Sequence, residues 1–255
     1  MLALISCIIA NIACILQWIL DNIFKSNLVA NWLVAIGTIL LSIVAIFQDK
    51  LRAWVMRPKL RVTIQVAPPD CHKSVIECYN EKIGIVDVIV EVYYFRLLVK
   101  NDGNQRAELV EVFAKKLTEK KEDGAFTKVS TFMPMNLTWT HTDDKIFYEA
   151  ISPHMYRNCS LGHIIDPSKR RLSRSEQLPE EKSGKPFNKA VFSFDLEIRP
   201  NTGGHLIKPG TYRLDIVVAA ANVKPISKTL EIAFNGEWCP NEAEMFRRGI
   251  SIKML

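Results

Sequence analysis

Residues 1–20, MLALISCIIANIACILQWIL, and residues 28–48, LVANWLVAIGTILLSIVAIFQ, contain no charged side chain. At 1.5 Å rise per residue, about 20 apolar residues cross a hydrocarbon core of roughly 30 Å, so each run is long enough to span a bilayer as a helix. Only DNIFKSN, residues 21–27, separates them. The reading is a transmembrane helical hairpin over 1–48, a basic juxtamembrane linker over 49–58 and a soluble domain over 59–255.

Cations set the orientation, because Lys and Arg mark the cytoplasmic flank of a span. Lys50, Arg52, Arg57, Lys59 and Arg61 crowd the exit of the second run, whereas the connecting loop has only Lys25. Trp18 and Trp32 stand at the loop-side ends and Trp54 beyond the other end, as interfacial indoles do. The expected placement is the inner (cell) membrane, with two spans and both termini cytoplasmic. A secretory signal is the rival for the first run, but the basic n-region it needs is absent. Leu4-Ile-Ser-Cys7 resembles a lipoprotein cleavage box and lies too close to Met1 to be one.

Each run has one face of small or polar residues. Ala3, Cys7, Ala10, Cys14 and Gln17 recur at spacings of four and three in the first, and Asn31, Ala35, Thr38, Ser42 and Ala45 in the second. Small residues let helices approach closely and polar ones hydrogen-bond across the contact. The two stripes fit a contact within one hairpin; they also fit a homo-oligomer with a wet centre, toward which Asn11 points as a mid-span amide.

About 205 residues follow, enough for one sizeable domain. They read as short alternating apolar runs between Gly, Pro, Asn and Asp, which predicts an all-β domain. The predicted strands include Lys59–Val66, Asp87–Asn101, Ala107–Leu117, Ala190–Arg199, Ile207–Ala221 and Ser227–Phe234. Asn101-Asp-Gly103-Asn predicts a hairpin, since these residues accept positive φ cheaply, and Asn222–Pro225 predicts another. Asn241, with Glu242 and Glu244 behind it, predicts a short C-terminal helix, Gly249 its stop, and Ile250–Leu255 an edge strand. Residues 166–186, DPSKRRLSRSEQLPEEKSGKP, are a polar loop long enough to be either functional or disordered. Six cysteines in a chain of this length do not make a disulfide framework, and the net charge of +6 belongs to the soluble part.

Val99-Lys-Asn101-Asp-Gly103 with Ala107 and Val110-x-Val112, and Leu206-x-x-Pro209-Gly210-x-Tyr212-x-Leu214, resemble the strand–turn–strand signatures of bacterial Ig-like domains of the cell-adhesion-related type. The resemblance covers about a third of the soluble part and implies a β-sandwich of seven or more strands. Domains of that type are commonly extracytoplasmic, whereas the cations place this one inside. The cations decide, because fold does not fix compartment.

Chemistry-bearing motifs are scarce. There is no phosphate-binding Gly-x-x-x-x-Gly-Lys, no Gly-x-Ser-x-Gly and no His-Glu-x-x-His. Cys71, His72 and Cys78 with Cys159 and His163 contain zinc-ligand types without the Cys-x-x-Cys spacing of structural zinc. Asp143, Asp144 and Glu149 lack a nucleophile or an orienting partner. No enzyme, cofactor or metal is expected. The constellation that stands out is Lys169-Arg170-Arg171-Leu-Ser173-Arg174, an anion-seeking loop offset by Glu176, Glu180 and Glu181. Lys50, Arg52 and Arg57 form the companion set for lipid headgroups. Nucleic acid is disfavoured, because no aromatic platform lies nearby.

Two functions fit these features. One is a membrane-anchored, non-catalytic interaction module on the cytoplasmic face, offering a sheet edge or loops to a protein partner. The other is a membrane-perturbing effector. Two N-terminal spans followed by a cytoplasmic sensing domain are similar in layout to the two-span effectors of prokaryotic antiviral systems, which implies assembly through the small-residue stripes.

Overall fold

The computed structural model describes residues 14, 15, 17, 18, 27–80, 85–142, 145–170 and 173–255. It has two compact units, Met1–Val55 and Met56–Leu255. In the first, helix α1 runs from Asn27 to Val55. Its stretch Val29–Gln48, 20 residues, is the one helix among the described residues long and apolar enough to cross a membrane. Asn31, Ala35, Thr38, Ser42 and Ala45 are exposed along it. The hydroxyls of Thr38 and Ser42 donate to the carbonyls of Val34 and Thr38, both at 2.8 Å, so neither needs water. Cys14 and Gln17 are helical and exposed, while Ala3, Cys7 and Ala10, with most of the first expected span, lie outside the described residues.

Among the described residues, the second unit contains thirteen strands: β1 (Leu60–Thr63), β2 (His72–Asn80), β3 (Ile85–Asn101), β4 (Ala107–Lys120), β5 (Phe126–Lys128), β6 (Met135–Asn136), β7 (Tyr148–Ile151), β8 (Tyr156–Ile165), β9 (Phe192–Phe194), β10 (Leu206–Ile207), β11 (Gly210–Ala220), β12 (Val223–Phe234) and β13 (Ile250–Met254). They form two antiparallel sheets. One follows the order β1-β3-β8-β9-β10 with β2 also on β3; the other follows β13-β12-β11-β4-β5, with β6 and β7 also on β4.

Alternation decides which side chains meet between them, because successive strand residues face opposite ways. Tyr93, Phe95, Leu97 and Val99 of β3 point inward, as do Val110, Val112 and Ala114 of β4 and Leu214, Ile216 and Val218 of β11. Phe192 packs on Phe95 and Phe194 with ring centroids 5.5 and 5.1 Å away. Each such side chain, fully buried, stabilises the fold by about 1.5–3 kcal/mol. The hairpin expected at 222–225 forms, with β11 and β12 paired from Gly210↔Phe234 to Ala220↔Val223. In the tail, the Asn241 side chain accepts from Glu244 N at 3.0 Å, capping the short helix Glu242–Glu244.

The connection after Asn101 is a correction to the sequence reading. It does not make a hairpin: β3 and β4 lie in different sheets, so the chain crosses the core there. The turn chemistry is nevertheless present. Asn101 is fully buried, and its Oδ1 accepts from Gly103 N and Lys59 N, both at 3.0 Å. Its Nδ2 donates to Gln105 O at 2.7 Å and Ile151 O at 3.0 Å. The amide thus pins three separate segments while the strands diverge. Gly103 is required for this closeness, since a Cβ would sit 2.4 Å from Arg57 O.

A second irregularity positions the site below. β8 has a bulge: Phe95 pairs with Gly162 and Arg96 with Ser160, leaving Leu161 as the extra residue. The bulge breaks the period of two, so Cys159 and Leu161 both enter the core while His163 turns to the outer face. Gly162 lets β9 approach, because a Cβ there would meet Ser193 O at 2.3 Å.

Candidate functional site

The described residues of the polar segment 166–187 fold as a strap over the outer face of the first sheet. Asp166 starts it: its Oδ1 accepts from Ser168 N at 2.9 Å and Ser168 Oγ at 2.8 Å, setting up the helical turn Pro167–Arg170. Pro179 at a helix start, the reciprocal bonds between Leu178 and Glu181, and Gly184 at φ +86° shape the second turn. Leu178 and Phe187 pack on Val191 and Leu206. Lys169 Nζ donates to Ile89 O at 2.6 Å and Lys208 Nζ pairs with Glu180 at 2.7 Å, fastening the strap's two ends.

Under it lies a buried cluster of charges. His163 is 4% exposed, Glu176 2% and Arg170 1%. His163 Nδ1 stands 2.7 Å from Asp195 Oδ1 and Nε2 stands 3.5 Å from Glu176 Oε1. A carboxylate can only accept, so His163 donates from Nδ1 to Asp195. Arg199 reaches the same Glu176 oxygen at 3.0 Å. Beside them, the Arg170 guanidinium grips Glu181 through two bonds of 2.5 and 2.7 Å and donates to Glu176 O at 2.7 Å. With His163 protonated, three cations balance three anions, the condition under which buried charge is tolerated.

The electrostatics follow. Burial disfavours the His163 imidazolium, but Asp195 and then Glu176 outweigh it and raise the group to about 10. Burial would also raise Glu176, but His163 and then Arg199 outweigh it and hold the carboxyl at about 2. Neither therefore titrates near neutrality. His205 Nε2 donates to Ser175 O at 3.0 Å, and burial lowers its value. Ser193 is the cross-strand neighbour of His163, and its hydroxyl is buried beside Glu176. Serine, histidine and aspartate thus adjoin, and a second carboxylate, Glu176, faces Nε2 at 3.5 Å. The cluster holds charge and fastens the strap.

The sequence-derived residues fall as follows. Of the basic run, Lys169 and Arg170 are engaged as described, Arg174 is exposed, and Arg171 lies outside the described residues. Arg57 is exposed, with its backbone N–H bonded to Asn104 at 3.1 Å. Lys50 and Arg52 are on α1, and their side chains lie outside the described residues. Cys159 is in the core, its thiol donating to Thr138 O at 3.3 Å, while His163 is on the opposite face. Among the described residues, no group of three or more His, Cys, Asp or Glu side chains is arranged to hold a metal ion. Asp143 and Asp144 lie outside them, and Glu149 is exposed on β7.

Sequence reasoning passed over Asp195, Glu176 and Arg199 as a group. Two signals were present: a glycine inside a strand just before His163, and a second polar face on the strand at Ser193 and Asp195. Comparison of the chain with protein-family models, with curated proteins and with solved structures finds no match.

Proposed function

We propose that the chain is a membrane-anchored, non-catalytic interaction module, its β domain on the cytoplasmic face. The observation that carries this reading is α1, whose 20-residue apolar stretch Val29–Gln48 has no residue buried in the protein. Such a surface needs a bilayer or partner helices to cover it. The charge-free run Met1–Leu20 serves as the other span, and the basic residues from Lys50 to Arg61 favour the cytoplasmic leaflet. The two-sheet domain is taken as Ig-like. Its strands β2 and β13 each pair on one side only among the described residues, which suits strand addition by a partner.

The test is fractionation of the full chain after expression in a bacterial host, with reporters fused after Leu255. Retention in the membrane pellet after alkaline carbonate, a bright cytoplasmic fluorescent fusion and an inactive phosphatase fusion are the expected results. Release by carbonate, or an active phosphatase fusion, overturns the reading.

A second reading keeps this placement and makes the helices an assembling effector. Its support is the exposed face Ala35, Thr38, Ser42 and Ala45, whose hydroxyls already bond within α1 and so need no water when another helix covers them. It predicts depolarisation on induction, abolished by Ala35→Leu; depolarisation unchanged by Ala35→Leu counts against it.

A further inference from the structure

The end of the β domain where the chain enters from α1 is an unusual surface. Asn101 ties together residues 57–59, 101–105 and 151–155, and Asn222 ties the β11–β12 turn to the same end through Glu108 N at 3.1 Å and Arg106 O at 2.9 Å. Here the domain exposes three large apolar side chains: Leu109 (55%), Met155 (55%) and Tyr156 (53%). Leu109 is the most telling. It has φ +50°, a conformation that glycine or asparagine adopts with less strain, yet its side chain is bulky, apolar and more than half exposed.

The surroundings are basic. Arg57, Lys59, Arg106, Arg157 and Lys224 are all exposed. The acidic groups there are fewer: Asp102 is paired with Arg61 at 2.6 Å and Lys100 at 3.0 Å, leaving Glu108 and Glu149 as exposed carboxylates. Apolar tips ringed by cations match a surface of anionic headgroups over an apolar layer. Chain length brings that surface within reach. Residues 49–55 continue α1 beyond Val29–Gln48, about 10 Å of helix, comparable with the depth of one headgroup layer.

We propose that this end of the β domain is a second membrane contact, in which Leu109, Met155 and Tyr156 enter the headgroup layer and the flanking cations take the phosphates of anionic lipids. The contact rests on the anchored reading above and adds to it a class of lipid that the β domain itself takes.

The experiment is hydrogen exchange, followed by mass spectrometry, on the full chain in nanodiscs of phosphatidylcholine alone or doped with phosphatidylglycerol. Residues 103–109 and 152–157 exchange several-fold more slowly in the doped discs, and Leu109→Asn combined with Arg106→Gln removes the difference. Equal exchange in the two discs, with the chain still co-eluting with them, overturns this contact alone. A chain that fails to co-elute with the discs overturns the anchor and this contact together.

Discussion

Asn101 and Arg170 are both buried polar side chains at the root of a connection, and each holds together segments distant in sequence. Asn101 does so with a neutral amide: two donors and two acceptors, each matched to a backbone group of residues 59, 103, 105 or 151. Arg170 does so with a charge, and the charge requires Glu181 and the balanced His163 cluster beside it. The amide organises a tight crossover between sheets with no ionic compensation. The strap, by contrast, covers a polar sheet face, and the charges it buries there, Arg170, Glu176 and Glu181, each face an opposite charge. A neutral hub is robust to pH; a charged one is held only while its partners are ionised.

The largest effect that would test this contrast is Arg170→Leu, which strands the Glu181 carboxylate in the protein. We expect a loss of about 3–5 kcal/mol in denaturation of the full chain in mild detergent, with Arg170→Leu/Glu181→Leu recovering most of it. A single variant no worse than the double would mean that the pair is not effectively buried.

Asn101→Ala comes next, at about 2–4 kcal/mol, because four backbone groups lose their partner together. A larger loss than for Arg170→Leu would invert the comparison, making the neutral hub the dominant fastening.

Dependence on pH sharpens it further. His163 has its folded value raised to about 10 from 6.5, so its contribution is complete below about 6.5 and is lost as pH climbs through 10. Glu176 has its value lowered from 4.5 to about 2, so its contribution is complete above about 4.5 and is lost as pH falls toward 2. Protection of the strap amides 173–187 from hydrogen exchange, corrected for the intrinsic rate, therefore peaks between about pH 4.5 and 6.5. The loop 102–106, fastened by the amide, shows no such peak. Matching profiles would erase the distinction.

The smallest effect belongs to Lys208→Gln. Lys208 and Glu180 are both exposed, so the expected loss is about 0.5 kcal/mol or less by the same denaturation, screened by salt. A loss comparable with that of Arg170→Leu would show that the strap's rim, rather than its buried charges, holds it.

Legibility in the sequence followed the range of the interactions. The apolar run 28–48 announces α1 because length and lack of charge are properties of the run itself. The alternations at Asp87–Asn101 and Ile207–Ala221 announce strands for the same reason, and Asn222 correctly signals the β11–β12 turn. Asn101-Asp-Gly103 signals a turn equally well, but turn chemistry does not say which sheet the next strand joins. Lys169–Arg174 reads as a basic patch because its charges are adjacent in sequence, whereas the carboxylate gripped by Arg170 stands 11 residues away.

By itself, then, the sequence determined an apolar helix near the N-terminus, a β-rich domain, a capped C-terminal turn and a basic flank, all written in runs and periods of local residues. Tertiary structure decided that β3 and β4 part into different sheets, that a bulge at Leu161 turns His163 outward, and that the polar strap closes over it. Those outcomes depend on bonds between residues such as His163 and Asp195, or Asn101 and Ile151, which separate elements bring together. The energy of a buried charge or amide is fixed by the partners that surround it, and those partners exist only once the sheets have formed.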